Sequence, residues 1–315
     1  MITNLTYKGI LSTIGKTPIV ELQHLSPKAD VHLFAKLEGQ NPTGSVKDRI
    51  ALKMIELAER DGEISPNRTI LEPTSGNTGI SLAMIGRLKG YKVTVVMPEN
   101  VSAERAQLLY AYGANIIFSD GAKGTNESIA VAQHLVEKDH DYLMLYQYGN
   151  RGNPDAHYET TGQEIVETLP DVDMFVAGLG TGGTLMGVGR RLKEHNPNIK
   201  VVAVAPEPDD FISGLRSLEE GFIPPILDLH LLDARMLVGS FNAFRFTKEL
   251  LHQEGIFAGV SSGSVVYAAV KQAERLEHGN IVCLLADGGW KYLSTSLWTK
   301  DYEQLGKESK GKIWW

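Results

Sequence analysis

The chain of 315 residues holds one cysteine, Cys283. A single thiol makes neither an internal disulfide nor a Cys-based zinc site, which fits a reducing compartment. It lies in the apolar run NIVCLLAD, where a thiol acts as a small buried hydrophobe. Positive charge is also short: 31 Lys and Arg stand against 38 Asp and Glu, a formal charge of −7 with a pI near 5.8. Bulk electrostatics therefore favour neither nucleic acid nor an anionic membrane as partner. No apolar run approaches the ~20 residues of a membrane helix. The opening MITNLTYKGILSTIG lacks the basic stretch and apolar core of a secretory signal. A soluble, cytoplasmic protein is expected. None of the nine histidines falls into H-x-x-x-H or H-E-x-x-H spacing, so no metal site is expected. Thr74-Ser75-Gly76 is not a G-x-S-x-G elbow, and a serine hydrolase is not expected.

What is present is a rhythm. At ~150 residues per domain the length suggests two domains, and 43% apolar with 22% charged residues is ordinary globular composition. Short apolar runs predict strands at 31–38, 69–72, 92–98, 115–119, 143–147, 173–177, 200–205 and 281–286. Helical periodicity falls between them at 46–59, 79–88, 103–112, 128–137 and 185–194. This βαβα alternation predicts an α/β fold with mostly parallel sheets covered by helices on both faces. Glycine is enriched, 32 of 315 residues, and the excess gathers at strand-to-helix turns: Gly76 and Gly79, Gly178 to Gly183, Gly259 and Gly263. Ligands of open α/β folds bind at such turns. The irregular stretch 206–228, with four prolines, breaks the rhythm in the manner of a functional loop.

Four turns could carry chemistry. Gly178-Leu-Gly-Thr-Gly-Gly183 follows an apolar strand and opens a helix at Thr184, an arrangement that cradles phosphate on backbone N–H groups. It also satisfies G-x-G-x-x-G, with Glu207 placed as a ribose-binding acid, so a nicotinamide oxidoreductase competes here. In Asn41-Pro-Thr-Gly-Ser-Val-Lys47, Ser45 reads as a helix N-cap. Lys47 then sits in the first helical turn, where the macrodipole disfavours a cation. Such an amine suits a lowered pKa and a Schiff base. Glu72-Pro-Thr74-Ser75-Gly76-Asn77-Thr78-Gly79 sets several hydroxyls and a carboxamide at one helix N-terminus, suited to a carboxylate. Gly259-Val-Ser261-Ser262-Gly263-Ser264 precedes a helix of small residues, and its serines also read as simple caps.

In this order, NPTGSVKDR, EPTSGNTGISLAM, GLGTGGT and EGIFAGVSSG, the chain resembles the pyridoxal-phosphate enzymes of the cysteine synthase family, fold type II. The similarity runs from Gly15-Lys-Thr-Pro18 to Lys291-Tyr-Leu-Ser-Thr295. Within the family, MLYQYGN, EGFIP and ADGGWKYLST are most similar to the O-phosphoserine sulfhydrylases of actinobacterial type. The tail Gly311-Lys-Ile-Trp-Trp315 resembles that group too, whose C-terminal residues fold into the active-site cleft.

The resemblance implies two three-layer α/β domains with pyridoxal 5′-phosphate in the cleft between them. Residues 1–40 plus 150–315 would form the larger domain, and 41–149 a smaller mobile one. Lys47 would form the internal aldimine, and Asn77 would bond the ring hydroxyl. Gly180, Thr181, Gly182, Gly183 and Thr184 would cradle the cofactor phosphate, replacing the nicotinamide reading. Ser261 would face the pyridine nitrogen. Thr74, Ser75, Thr78 and Gln147 would hold the substrate carboxylate. The implied reaction is β-replacement through an α-aminoacrylate to give L-cysteine, with Lys47 as general base and the Trp314-Trp315 tail as a lid. Arg216 aligns with the arginine that binds phosphate in the phosphoserine enzymes, which favours O-phosphoserine. An O-acetylserine enzyme taking sulfide or thiosulfate remains the alternative. A small thiocarboxylated carrier protein as sulfur donor and a homodimer are also implied.

Overall fold

Strand and helix alternate along the chain in the computed structural model, which describes residues 6–301 apart from 66 and 75. Ser75 and the Trp314-Trp315 tail lie outside the described residues. The elements before the first large helix are β1 (Ile19–Glu21) and β2 (Val31–Leu37), followed by α1 (Lys47–Arg60). Then come β3 (Thr69–Pro73), α2 (Asn77–Lys89), β4 (Lys92–Pro98), α3 (Ala103–Ala111), β5 (Asn115–Ser119), α4 (Gly124–Lys138) and β6 (Tyr142–Met144). The remainder holds α5 (Gly152–Ala156), α6 (Gln163–Thr168), β7 (Met174–Gly178), α7 (Gly183–His195), β8 (Lys200–Pro206), β9 (Ala234–Val238), α8 (Ser240–Glu254), α9 (Val260–Ala273) and β10 (Gly279–Leu285).

Two sheets result. A six-stranded sheet runs β1-β2-β10-β7-β8-β9, with only β1 antiparallel. A four-stranded parallel sheet runs β5-β4-β3-β6. Central strands bury both faces, as parallel strands under helices must. In β8, Val201 and Ala203 pack with Leu185, Val188 and Leu192 of α7. The alternate residues Val202 and Val204 pack with Val265, Val266 and Ala269 of α9. Cys283 of β10 is fully buried in that second layer, and burial pushes its thiol up to about 12. It is a core residue, as its neighbours in the sequence imply. In the other unit α1 turns Ile50, Met54 and Ile55 onto Ile80, Leu82 and Val95. No described helix is long and apolar enough to cross a membrane.

Two departures from the sequence reading have physical causes. The strand expected at 143–147 ends at Met144. Tyr146 adopts a left-handed φ of 58°, and the N–H groups of Tyr146 and Gln147 donate to the buried carboxylate of Glu72 at 2.8 and 2.9 Å instead of to a ladder. Ser45 is not the cap residue of α1. Val46 holds that position, and the Ser45 hydroxyl accepts the Lys47 N–H at 3.3 Å. The segments of β1, β9 and α8 carried no expectation.

A buried ion cluster locks α1 to the larger sheet. Glu38 is fully buried and accepts from Arg49 Nε at 2.7 Å, Arg49 Nη2 at 2.8 Å, Thr17 Oγ1 at 2.6 Å and Asn41 Nδ2 at 2.9 Å. The same guanidinium reaches Glu164 at 2.7 and 2.8 Å, and Lys36 Nζ closes on Glu164 at 2.6 Å. Every charge in this network has an opposite partner, which is the condition for burying it.

Candidate active site

The turn that starts α1 is stitched to the end of β10. Val46 N donates to Ala286 O at 2.8 Å, Gly288 N to Gly44 O at 3.2 Å, and Ser45 forms an isolated bridge with Asp287. This fixes Lys47, the first residue of α1, between the two sheets. Burial pushes the Lys47 amine below its ordinary pKa, against the opposing pull of the Asp287 and Glu38 carboxylates. A lysine placed this way is a ready nucleophile and base.

Two adjoining recesses share Lys47, Gly180, Thr181, Gly214 and Ser261 as walls. The narrower one also takes in Gly178, Gly182 and Thr184 at the N-terminus of α7. There Gly182 turns with a left-handed φ of 88°, which a side chain resists. The turn is braced by Asn153, whose amide donates to Thr181 Oγ1 at 2.9 Å and to Gln147 O at 2.8 Å. A Cβ at Gly183 would overlap that same carboxamide. Thr184 Oγ1 meets His157 Nε2 at 3.2 Å, and burial first, then Arg49 and Lys47, pushes this imidazole down to about 3. Uncharged histidine thus backs a helix N-terminus whose N–H groups suit an anion.

The wider recess opens toward the start of α2. Thr74, Asn77, Thr78 and Gln147 line it. Thr78 Oγ1 donates to Gln147 Oε1 at 2.7 Å, and Gln147 Nε2 to Pro73 O at 3.1 Å. Arg216 forms another wall, only 8% exposed. Its guanidinium lies over the rings of Phe222 and Tyr148 at 4.8 and 5.3 Å and donates to the neutral Asn126 Oδ1 at 2.8 Å. Glu207 does not line either recess.

Thus Lys47, Thr74, Asn77, Thr78, Gln147, Gly180, Thr181, Gly182, Thr184, Arg216 and Ser261 converge on one cleft, and Gly183 begins the helix behind it. The sequence reading missed Arg105, Asp287, Lys291 and Tyr292. Arg105 donates to Ser213 Oγ at 2.8 Å and stacks over Tyr292 at 5.0 Å, while its Nε and Nη1 lack acceptors among the described residues. Asp287 follows the β10 core and Lys291 belongs to the KYLST run, so both lay inside quoted segments without a pattern of their own. Two guanidinium side chains, Arg105 and Arg216, join the Lys47 amine in lining the wider recess, and among its described lining residues Asp287 is the one carboxylate. An acidic protein has built a cationic hollow.

A buried amine, a glycine-walled anion turn and a neutral hydroxyl within one cleft fit pyridoxal phosphate. A Cβ at Gly180 would sit 3.0 Å from Gly214 O, filling the space between them, and Ser261 Oγ lies 3.6 Å from the equivalent point at Gly214. The arrangement defines a pyridoxal-phosphate-dependent enzyme, and the sequence model described as "Pyridoxal-phosphate dependent enzyme" matches residues 10–287. The chain belongs to this family, within its cysteine synthase branch. It is 44% identical over 303 residues to a cysteine synthase of Staphylococcus aureus, covering 93% of this chain and 97% of that one. The crystal structure of a cysteine synthase (OASS) from Entamoeba histolytica matches with a TM-score of 0.88 at 35% identity, covering 98% and 97% of the two chains. A hydrogen sulfide-producing enzyme from Fusobacterium nucleatum matches with a TM-score of 0.87 at 39% identity, covering 91% and 100%.

Proposed function

We propose that this enzyme makes L-cysteine by β-replacement on O-phospho-L-serine, with sulfur from sulfide or from the thiocarboxylate end of a small carrier protein. The observation that carries the substrate choice is Arg216, a buried guanidinium on the cleft wall whose side-chain partners among the described residues, the Asn126 amide and the Tyr148 hydroxyl, are both neutral. A guanidinium of this kind pairs with phosphate through parallel charge-assisted hydrogen bonds. Arg105 adds a second cationic wall to the same recess.

Lys47 would hold the cofactor through its amine, the turn from Gly180 to Thr184 its phosphate, Asn77 its ring hydroxyl and Ser261 its pyridine nitrogen. When bound, pyridoxal phosphate supplies an electron sink for charge left at the substrate Cα. A serine at the nitrogen leaves the ring a weaker sink than a carboxylate would, which suits elimination over transamination. Thr74, Thr78 and Gln147, with the N-terminus of α2, grip the substrate carboxylate and orient its Cα–H. Lys47 Nζ, freed when the substrate's amine takes its place, then accepts the α-proton. Arg216 takes up the negative charge of the departing phosphate, the sulfur anion bonds to Cβ in its place, and Lys47 returns the proton to Cα; with a thiocarboxylate donor, water then cleaves the acyl–sulfur bond and frees the thiol. Residues 41–149 close over the cleft as a unit, excluding water from the reacting carbon.

A second reading, O-acetyl-L-serine as substrate, draws on the Entamoeba histolytica enzyme, named as OASS. Arg216→Ala separates the two. With two charge-assisted bonds lost, at about 1.5–3 kcal/mol each, kcat/KM on O-phosphoserine falls by roughly 100-fold or more, while turnover of O-acetylserine changes by less than about 3-fold. Equal losses on both substrates would reject Arg216 as the phosphate reader.

A further inference from the structure

Lys291 is a fully buried amine for which the proposed chemistry has no use. It stands in the 3-10 turn Gly289–Thr295 after β10. Its Nζ donates to Asn77 Oδ1 at 2.8 Å and to Gly44 O at 3.4 Å. The other end of the same carboxamide donates from Nδ2 to Asp287 Oδ2 at 2.8 Å, and that oxygen also accepts the Tyr292 hydroxyl at 2.8 Å.

A carboxamide can turn over, exchanging its donor and acceptor ends, and only its partners decide which way it lies. An ammonium has no acceptor and an ionised carboxylate no donor. Held between them, Asn77 has its oxygen committed to Lys291 and one N–H committed to Asp287. Its second N–H is the donor left for a ligand. We infer that Lys291 is a positioning residue which, together with Asp287, locks the Asn77 carboxamide with that N–H turned to the ring hydroxyl of pyridoxal phosphate. The inference rests on the reading of Asn77 as the ring-hydroxyl donor.

A packing role alone explains Lys291 poorly. Burying an ammonium costs several kcal/mol before its partners offset it, and an apolar side chain would fill the same space without that penalty. Burial pushes the Lys291 amine down to about 8, opposed by the carboxylates of Asp287 and Asp48. The charge is therefore still present at neutral pH.

The test is a double-mutant cycle read by cofactor binding. The full-length protein is stripped of cofactor, reconstituted with pyridoxal phosphate and titrated by its visible absorbance. Lys291→Met is expected to raise the cofactor Kd by about 10-fold, in the range of one lost bond to a charged group, and to move the pH titration of the visible band. Lys291→Arg restores both to within about 3-fold. Asn77→Ala produces a comparable loss, and the double variant is no worse than Asn77→Ala alone, because Lys291 acts only through Asn77. Should Lys291→Met fail to fold, Lys291→Gln takes its place in the cycle. Unchanged affinity and spectrum in the Lys291 variant overturn the inference while leaving Asn77 in place. Losses that multiply in the double variant overturn it too. An Asn77→Ala protein that binds as the parent does removes the reading of Asn77 and the inference with it.

Discussion

Arg49→Met attacks the ion cluster behind Lys47, and the structure sets the size of the effect. The Arg49 guanidinium and the Thr17 hydroxyl overcome the opposing effect of complete burial and hold Glu38 down at about 2, from an ordinary value of 4.5. At ~1.4 kcal/mol for each tenfold change in proton affinity, that difference corresponds to about 3 kcal/mol at neutral pH. Glu38 binds its proton more weakly in the folded state than in the unfolded one. Its contribution is therefore complete above about 4.5 and drains away as pH falls toward 2. In Arg49→Met the buried carboxyl keeps only the weaker pull of Lys36 and takes up a proton far more readily. The variant should lose about 3–5 kcal/mol at pH 7, the usual cost of breaking a buried pair, and much less near pH 3. Urea unfolding followed by tryptophan fluorescence at a series of pH values measures this directly. A deficit that stays constant from pH 7 to pH 3 would refute the reasoning, because it would mean that Arg49 contributes packing and not charge.

Other outcomes follow from the same geometry. Lys47→Ala should lower turnover by on the order of 1,000-fold and change the visible absorbance of the reconstituted protein, checked by spectrum and steady-state assay on one preparation. Gly183→Ala drives its Cβ into the Asn153 carboxamide; the overpacking should cost about 1–3 kcal/mol, and titration should show weaker cofactor binding as the turn loses its brace. Burial holds Glu72 up at about 8 against two backbone N–H donors. Its folded state therefore favours the proton, and stability should fall as pH rises from about 4.5 to 8. The urea midpoint of Glu72→Gln should be flatter over that window, and a slope equal to the parent's would contradict the assignment.

Much of this architecture was legible because parallel strands and their helices write their burial locally. The expected strands at 92–98 and 115–119 match β4 and β5, and both α1 and α3 begin within one residue of expectation. β9 escaped notice because it is an edge strand with Ala234, Arg235 and Leu237 exposed, so its apolar signal is thin. The strand expected at 143–147 ran too long because the group that ends it, Glu72, lies more than 70 residues away in sequence. The cleft shows the same division. Lys47 and the glycine turn announce themselves by a residue type that is awkward unless used. Arg105 in α3 looks like any charged residue on a solvated helix face, and only the packing of α3 against the turn holding Tyr292 buries it. Lys291 likewise becomes meaningful only when Asn77, more than 200 residues away, is brought within 2.8 Å.

The central claim is cysteine formation from O-phosphoserine at the Lys47 cleft. The most direct measurement incubates the reconstituted protein with O-phosphoserine and sulfide, and quantifies cysteine and inorganic phosphate together. Equimolar release of both, faster than cysteine formation from O-acetylserine and lowered on the order of 1,000-fold in Lys47→Ala, is the result the account predicts. Cysteine from O-acetylserine alone would contradict the role given to Arg216, and no cysteine from either would contradict the chemistry assigned to the cleft.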